Sequence, residues 1–343
     1  MFILPKVVLF GEIMLRLSPE GFNRFVQADK FNVNYGGSEA NVAFSLANFG
    51  IESSFVTKLS NNEIGQSAYN KLKQFGVDTS NIIRDENRLG IYYLEKGASQ
   101  RPSKVIYDRF DSSMAKSDID DFDWDMIFED VTWFHFSGIT PALSDNLAKI
   151  CLIACKKAKE LDITVSCDLN YRAKLWSQNK ANKIMSEIMP FIDICIANEE
   201  DIEKVFGIKA DNSDVNQGKL DYISYNVVAK ELLNKFNLSK IACTLRTSIS
   251  ASDNKWTALL YDGNDFYQSK EYDIHIVDRV GGGDSFVAGL IYGFLNDLSD
   301  EDSLEFATAA SCLKHTIEGD FNLVTVEEVK SLVAGNSSGR VQR

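Results

Sequence analysis

The sequence predicts an α/β fold, a mostly parallel sheet with helices on both faces, joined by a small antiparallel β-sheet that acts as a lid. Short apolar runs alternate with segments of helical period along most of the chain, the pattern of successive βαβ units. Gly50 and Gly76 stand where two of those helices must stop, because glycine adopts the left-handed cap that other residues resist. Residues 16–34 and 88–110 break the rhythm with extended, alternating character, which assigns them to a second sheet.

Each element follows from its local pattern. Residues 7–10 form an apolar strand ending at Gly11-Glu12. In 38–49, Ala40, Ala43, Phe44 and Ala47 share one helical face. A strand at 54–58 and a helix at 64–75 repeat the unit. Then come strands at 133–136, 164–168 and 192–197, followed in turn by helices at 143–161, 181–190 and 199–206. A helix at 225–236, a strand at 240–245, a hairpin near Asp262-Gly263, an apolar run at 272–277 and helices from Asp284 onward complete the series. The irregular segments carry Ile91, Tyr93, Val105, Tyr107 and Phe110, and are expected to form four short antiparallel strands over the carboxyl ends of the parallel ones. The division expected is a core of 1–12, 36–87 and 112–334, a lid of 13–35 and 88–111, and a flexible tail of 335–343.

Composition narrows the function classes. With 343 residues, 45% apolar and 25% charged, the chain can bury a substantial core. A net charge of −13 without any basic cluster argues against nucleic acid or an anionic membrane surface as partner. The six cysteines show no CxxC pair and no disulfide-framework spacing, which fits a reducing compartment. The three histidines lack the spacing of a zinc site. No charged and apolar leader opens the chain, and no stretch approaches the roughly 18–20 apolar residues of a membrane span, so a cytoplasmic location is expected.

The densest chemical signal is Gly281-Gly282-Gly283-Asp284, which follows the 272–277 run and opens a helix-like run at 285–295. Glycines after a strand leave backbone amides unshielded, so they can close on an anion where a helix begins. A carboxylate at the same spot can take a proton from an attacking hydroxyl, and the pair suits phosphoryl transfer from a nucleotide to an alcohol. The alternative is a glycine-rich turn that merely starts a packed helix.

Gly36-Gly37-Ser38-Glu39-Ala40-Asn41-Val42-Ala43 and Asp278-Arg279-Val280-Gly281-Gly282-Gly283-Asp284 resemble, in this order, the two signatures of the ribokinase (PfkB) carbohydrate kinases. The resemblance runs from Val7 to about Val333. It implies a Rossmann-like core that binds nucleotide and sugar, a β-sheet lid, ATP with Mg²⁺, and phosphorylation of a sugar hydroxyl. Asp284 is then the expected base, and the amides of Gly281, Gly282 and Gly283 the expected anion hole. Gly36 and Gly37 let the backbone approach the sugar and Asn41 hydrogen-bonds a hydroxyl; the alternatives are an ordinary turn and a capping amide. Asn198-Glu199-Glu200-Asp201 occupies the family's Asn-x-x-Glu position, which organises Mg²⁺ through water and phosphate oxygens, although Asp201 is one methylene shorter. Read alone, the tetrapeptide is an N-cap followed by acids that complement a helix dipole.

Tyr92, Tyr107-x-Arg109, Ser137-Gly138-Ile139, Asp168-x-Asn170-x-Arg172 and Gly319-Asp320 are similar to the pattern of the 2-keto-3-deoxygluconate kinases in that family. This resemblance assigns Tyr92, Tyr107, Arg109 and Ile139 to the keto-acid end of a substrate and Asp320 to its hydroxyls. It sets Arg172 between substrate and phosphates, with Asn170 and Asn198 on the nucleotide side. Arginine matches a carboxylate through paired hydrogen bonds, so two arginines favour a sugar acid; the alternative for each is a surface salt bridge. Two departures from the family pattern stand out. Arg246 replaces a glycine and is expected to grip an ATP phosphate, and Arg279 replaces a small residue or proline. The expected partners are a sugar acid and ATP, and the lid sheets are expected to pair in a homodimer. The rivals are a kinase of fructose, ribose, another sugar acid or a nucleoside, and a non-catalytic sugar-binding regulator.

Overall fold

A computed structural model describes residues 5–198, 200–209 and 222–336, and these hold two sheets. The larger runs from β13 (Phe266–Gln268) through β12 (Asp253–Tyr261), β11 (Lys240–Ser248), β10 (Ile194–Asn198) and β9 (Thr164–Asp168). It continues through β8 (Trp133–Ser137), β1 (Lys6–Phe10) and β4 (Glu52–Ser60) to β5 (Ile82–Asp85), while β14 (Tyr272–His275) also pairs with β12. Every pair from β11 to β5 is parallel, as expected from the alternation. Such strands are buried on both faces. In β1, Val8 and Phe10 enter one core while Val7 and Leu9 enter the other, and none of the four is exposed. The helices Ser38–Asn48 and Glu63–Gln74 stop before Gly50 and Gly76, which take φ of 84° and 83°.

Three expectations are corrected. The helix expected at 143–161 runs Asp145–Glu160, and Leu143 instead ends a separate short helix, Ile139–Leu143, because extended Ser144 turns its Oγ to accept from the Leu147 amide (3.2 Å) and starts a new helix. The edge of the large sheet is antiparallel through β11, β12, β13 and β14, and the turn between β11 and β12 had no glycine or proline to mark it. Ser250 closes that turn by accepting from the amides of Ser252 (3.0 Å) and Asp253 (2.9 Å). The third correction concerns the smaller sheet, β3 (Asn32–Gly36), β2 (Met14–Ser18), β6 (Ile91–Glu95) and β7 (Lys104–Asp108) in that spatial order. Its outer pairs are antiparallel, but the central pair, β2 with β6, is parallel. Both strands leave the large sheet after parallel strands, β1 and β5, so they run the same way, and no hairpin turn opposes them.

The helix expected at 199–206 is described from Asp201, and Glu199 lies outside the described residues, as do 337–343 of the expected tail. Among the described residues no helix is long and apolar enough to cross a membrane.

Candidate active site

One cleft of about 580 Å³ opens where β1, β8, β9 and β10 end, with the smaller sheet along its other side. Of the residues assigned from sequence, all but Gly36 and Gly282 line it. Those two are glycines for packing: a methyl group on Gly36 would collide with the Asp320 carboxylate, and one on Gly282 with the His315 ring. Gly37 lines the cleft, yet its lack of a side chain is required by the carbonyl of Glu12. Gly281 is required twice, by a φ of 82° and by the Asp320 carbonyl.

The helix Gly282–Leu295 begins at this turn and carries Asp284 in its first turn. The Gly282 amide donates to the Arg279 carbonyl (3.4 Å), whereas those of Gly283 and Asp284 have no partner among the described residues, as geometry demands of a helix start. Of the three glycine amides expected to be free, only that of Gly282 is engaged; the Gly281 amide also has no partner among the described residues, and Asp284 adds a further free donor. Ser38 Oγ donates to Asp284 Oδ1 (2.8 Å) and Asn41 Nδ2 to Oδ2 (2.7 Å). Asn41 thus holds Asp284, and its Oδ1 accepts from Gly37 N (3.4 Å). Burial pushes the Asp284 carboxyl up to about 6 against these two hydrogen bonds, with a further upward push from Glu39.

Carboxyl groups crowd this end of the cleft. Burial drives Asp168 well above the usual range, helped by Asp201 and Asp284, and raises Asp201 and Glu39 as well. Exposed Arg172 is the cation that draws Asp168, Asp201 and Asp284 back down. Asn170, at a φ of 39°, turns its amide to Asp168 Oδ2 (3.2 Å) and Ser38 Oγ (3.3 Å). Asn198 and Asp201 exchange hydrogen bonds in the capping-box manner. Asn198 Oδ1 accepts from the amides of Glu200 (2.8 Å) and Asp201 (3.1 Å), and Asp201 Oδ2 from Asn198 N (3.3 Å). Asp201 Oδ1 accepts from Tyr171 N (3.1 Å).

On the lid side, Arg109 is no surface salt bridge. Its Nε (2.8 Å) and Nη2 (2.5 Å) both donate to Glu12 Oε2, both side chains are buried, and its guanidinium lies 5.6 Å from the Tyr107 ring centre. Tyr92 donates its hydroxyl to Asp320, and Asp320 accepts a second bond from Arg16 (2.8 Å). At the opposite end, Arg246 and Arg279 line the cleft together, and burial followed by Arg246 lowers the pKa of Arg279. His315 Nδ1 donates to the Ser311 carbonyl (2.7 Å), and burial pushes its pKa down to about 4, so the ring is neutral.

Sequence reasoning missed Glu12, Arg16, Ser38 and His315. Ser38 sat inside the first glycine signature. Arg16 gave a misleading signal, since alternation in Met14–Ser18 makes Leu15 and Leu17 the apolar face, whereas the structure buries Met14, Arg16 and Ser18. Glu12 and His315 had none, because Glu12 pairs with Arg109 and the His315 ring packs on Gly282, both far away in the chain.

Fold and cleft together define the class, an α/β phosphotransferase whose cleft is covered by a separate sheet. Residues 4–229 and 253–323 match the pfkB family of carbohydrate kinases. The 2-dehydro-3-deoxygluconokinase of Thermotoga maritima superposes with a TM-score of 0.93 at 51% identity, over 96% of this chain and 100% of that one. The 2-dehydro-3-deoxygalactonokinase of Haloferax volcanii is 31% identical over 334 residues, 97% of this chain and 98% of the relative. The 2-dehydro-3-deoxygluconokinase of Bacillus subtilis is 26% identical over 95% of each chain. The chain belongs to the pfkB family of carbohydrate kinases and is a sugar kinase.

Proposed function

We propose that the chain transfers the γ-phosphoryl group of ATP to the terminal hydroxyl of 2-keto-3-deoxygluconate, forming 2-keto-3-deoxy-6-phosphogluconate and ADP. The observation that carries this reading is the Asp284 carboxyl, held by Ser38 and Asn41 beside the amides of Gly281, Gly283 and Asp284, which have no partner among the described residues. Asp284 takes the proton of the attacking hydroxyl as its oxygen bonds to the γ-phosphorus, and the bond to the bridging oxygen breaks with its electron pair leaving on ADP. The amides of Gly281 and Gly283, joined by that of Asp284, neutralise charge on the group in transfer, and loss of one such donor costs about 3 kcal/mol. The carboxylate end of the substrate lies toward Tyr107 and Arg109, whose charge Glu12 already half-claims, so Arg109 orients the acid group while exposed Arg172 stands between substrate and phosphates. Tyr92 joins Tyr107 and Arg109 at the keto-acid end, and Asp320 holds sugar hydroxyls.

Arg246, Asn170 and Asn198 are assigned to the nucleotide side of the cleft. Mg²⁺ bound with ATP supplies neutralisation of the phosphate oxygens. No three His, Cys, Asp or Glu side chains among the described residues are placed to hold a metal, and Asp201 spends its oxygens on backbone amides. This fits an ion held through phosphates and water near the raised carboxyls of Asp168 and Asp201, which favour a cation. The lid exposes Val33, Ile106 and Phe110, which supports pairing of two lids, and light scattering tests it by mass.

A coupled ADP-release assay with 2-keto-3-deoxygluconate, its galactonate epimer, fructose and ribose decides the substrate. Sugar acids should be preferred by at least tenfold in kcat/KM; a preference for fructose or ribose removes the acid assignment, and binding without turnover would favour the regulator.

A further inference from the structure

Arg16 lies in the middle of the lid sheet and is 1% exposed, a rare environment for a guanidinium. It is register partner of Asn34 on β3 and of Tyr92 on β6, and Tyr92 is register partner of Tyr107 on β7, so the four form one row across the lid. Each nitrogen of Arg16 serves a different partner. Nε donates to Ser18 Oγ (2.9 Å), Nη1 to Asp320 Oδ2 (2.8 Å) and Nη2 to Asp278 Oδ2 (2.5 Å). The two aspartates are 304 and 262 residues away in sequence, and both belong to the large domain, not the lid.

These aspartates organise the two loops that meet at the phosphate-facing turn. Asp278 accepts from the amides of Val280 and Gly319 (both 3.2 Å), tying the residue before Gly281 to the residue before Asp320. The Asp320 carbonyl then abuts Gly281, and the Asp320 carboxylate accepts from Tyr92. Lys314, fully buried, donates to the Ile317 carbonyl (3.1 Å) in the field of the same two aspartates. Two cations and two carboxylates thus balance without solvent.

We propose that Arg16 is a positioning residue that latches the lid to the core and makes the geometry of both Asp320 and the Gly281 turn depend on lid contact. The inference rests on the kinase reading for its kinetics. The guanidinium is the only group in the row able to bridge two carboxylates at once; a lysine ammonium is a point charge and reaches one of them well. Removal of Arg16 leaves two buried carboxylates facing one ammonium, which displaces the Asp320 loop from the sugar side.

The test compares Arg16→Lys and Arg16→Met with wild type in steady-state assays and in hydrogen–deuterium exchange. Arg16→Lys keeps the charge and is expected to fold. It should raise KM for the sugar acid and lower kcat, with kcat/KM down about 100-fold, the usual cost of a misplacement near 1 Å, and KM for ATP changed less than threefold. A role confined to stability would reduce the active fraction and leave both KM values alone. In substrate-free protein, exchange should rise at Ile91–Glu95 and at the Val280 and Gly319 amides in Arg16→Met, or in Arg16→Lys should the methionine variant prove insoluble. Sugar KM within twofold of wild type in Arg16→Lys, or unchanged exchange at those amides, overturns the latch. Absence of wild-type turnover on any sugar overturns the kinase reading instead, and the exchange measurement still judges the latch.

Discussion

Ser38→Ala isolates the hydrogen bond that keeps Asp284 ionised. The carboxyl stands near 6 because burial outweighs the bonds from Asn41 and Ser38. A hydrogen bond to a charged group is worth roughly 1.5–3 kcal/mol, and one pKa unit corresponds to about 1.36 kcal/mol. Water entering from the cleft replaces part of the lost bond, so the substitution should raise the Asp284 pKa by about one unit. A base works only when deprotonated, so activity is present above the pKa and is lost as pH falls through it. For wild type the ionised fraction drops from near unity at pH 8 to about one half at pH 6; for a pKa of about 7 it drops from about nine-tenths to about one-tenth. The ratio of variant to wild-type kcat/KM should therefore fall roughly fivefold between pH 8 and pH 6. Damage to folding or to substrate binding would lower that ratio equally at every pH. A flat ratio, or a wild-type profile with no acid limb near pH 6, refutes the reasoning.

Four further outcomes are expected. Asp284→Asn should cut kcat by roughly 10²- to 10⁴-fold while calorimetry still detects ATP and sugar binding, and near-wild-type turnover would remove the base assignment. Gly281→Ala combines a left-handed φ of 82° with a collision against the Asp320 carbonyl, so thermal melting should report a loss of roughly 2–4 kcal/mol. Glu12→Ala leaves Arg109 buried without its carboxylate and should cost roughly 3–5 kcal/mol by denaturant titration, together with a raised KM for the sugar acid. Arg246→Ala should raise KM for ATP about tenfold and spare KM for the sugar, since one lost charge-assisted bond is worth about 1.5 kcal/mol or more; an unchanged ATP KM would place that guanidinium outside the nucleotide side.

Much of the site was legible because its residues cluster in short segments. The segments Gly36-Gly37 and Gly281-Gly283, with Asp284, needed only local pattern, and Gly37, Gly281, Gly283 and Asp284 line one cleft. What local pattern did not show was the packing that requires some of these glycines. Gly36 and Gly282 leave room for Asp320 and His315, not for a ligand, and no local rule names a neighbour that arrives from the other end of the chain. Arg109 likewise read as one half of an acid-binding pair, whereas Glu12, 97 positions away, occupies two of its donors.

The amino-acid order alone determined the alternation of strand and helix, the stops at Gly50 and Gly76, and the turn that presents Asp284, because each depends on backbone sterics and periodicity within about a dozen residues. Tertiary structure decided the parallel centre of the lid, the edge pairing of β12, and the partners of Arg16 and Glu12. The strength of a buried charge pair depends on which carboxylate chain closure brings within about 3 Å, and separations near 300 residues leave no trace in local pattern.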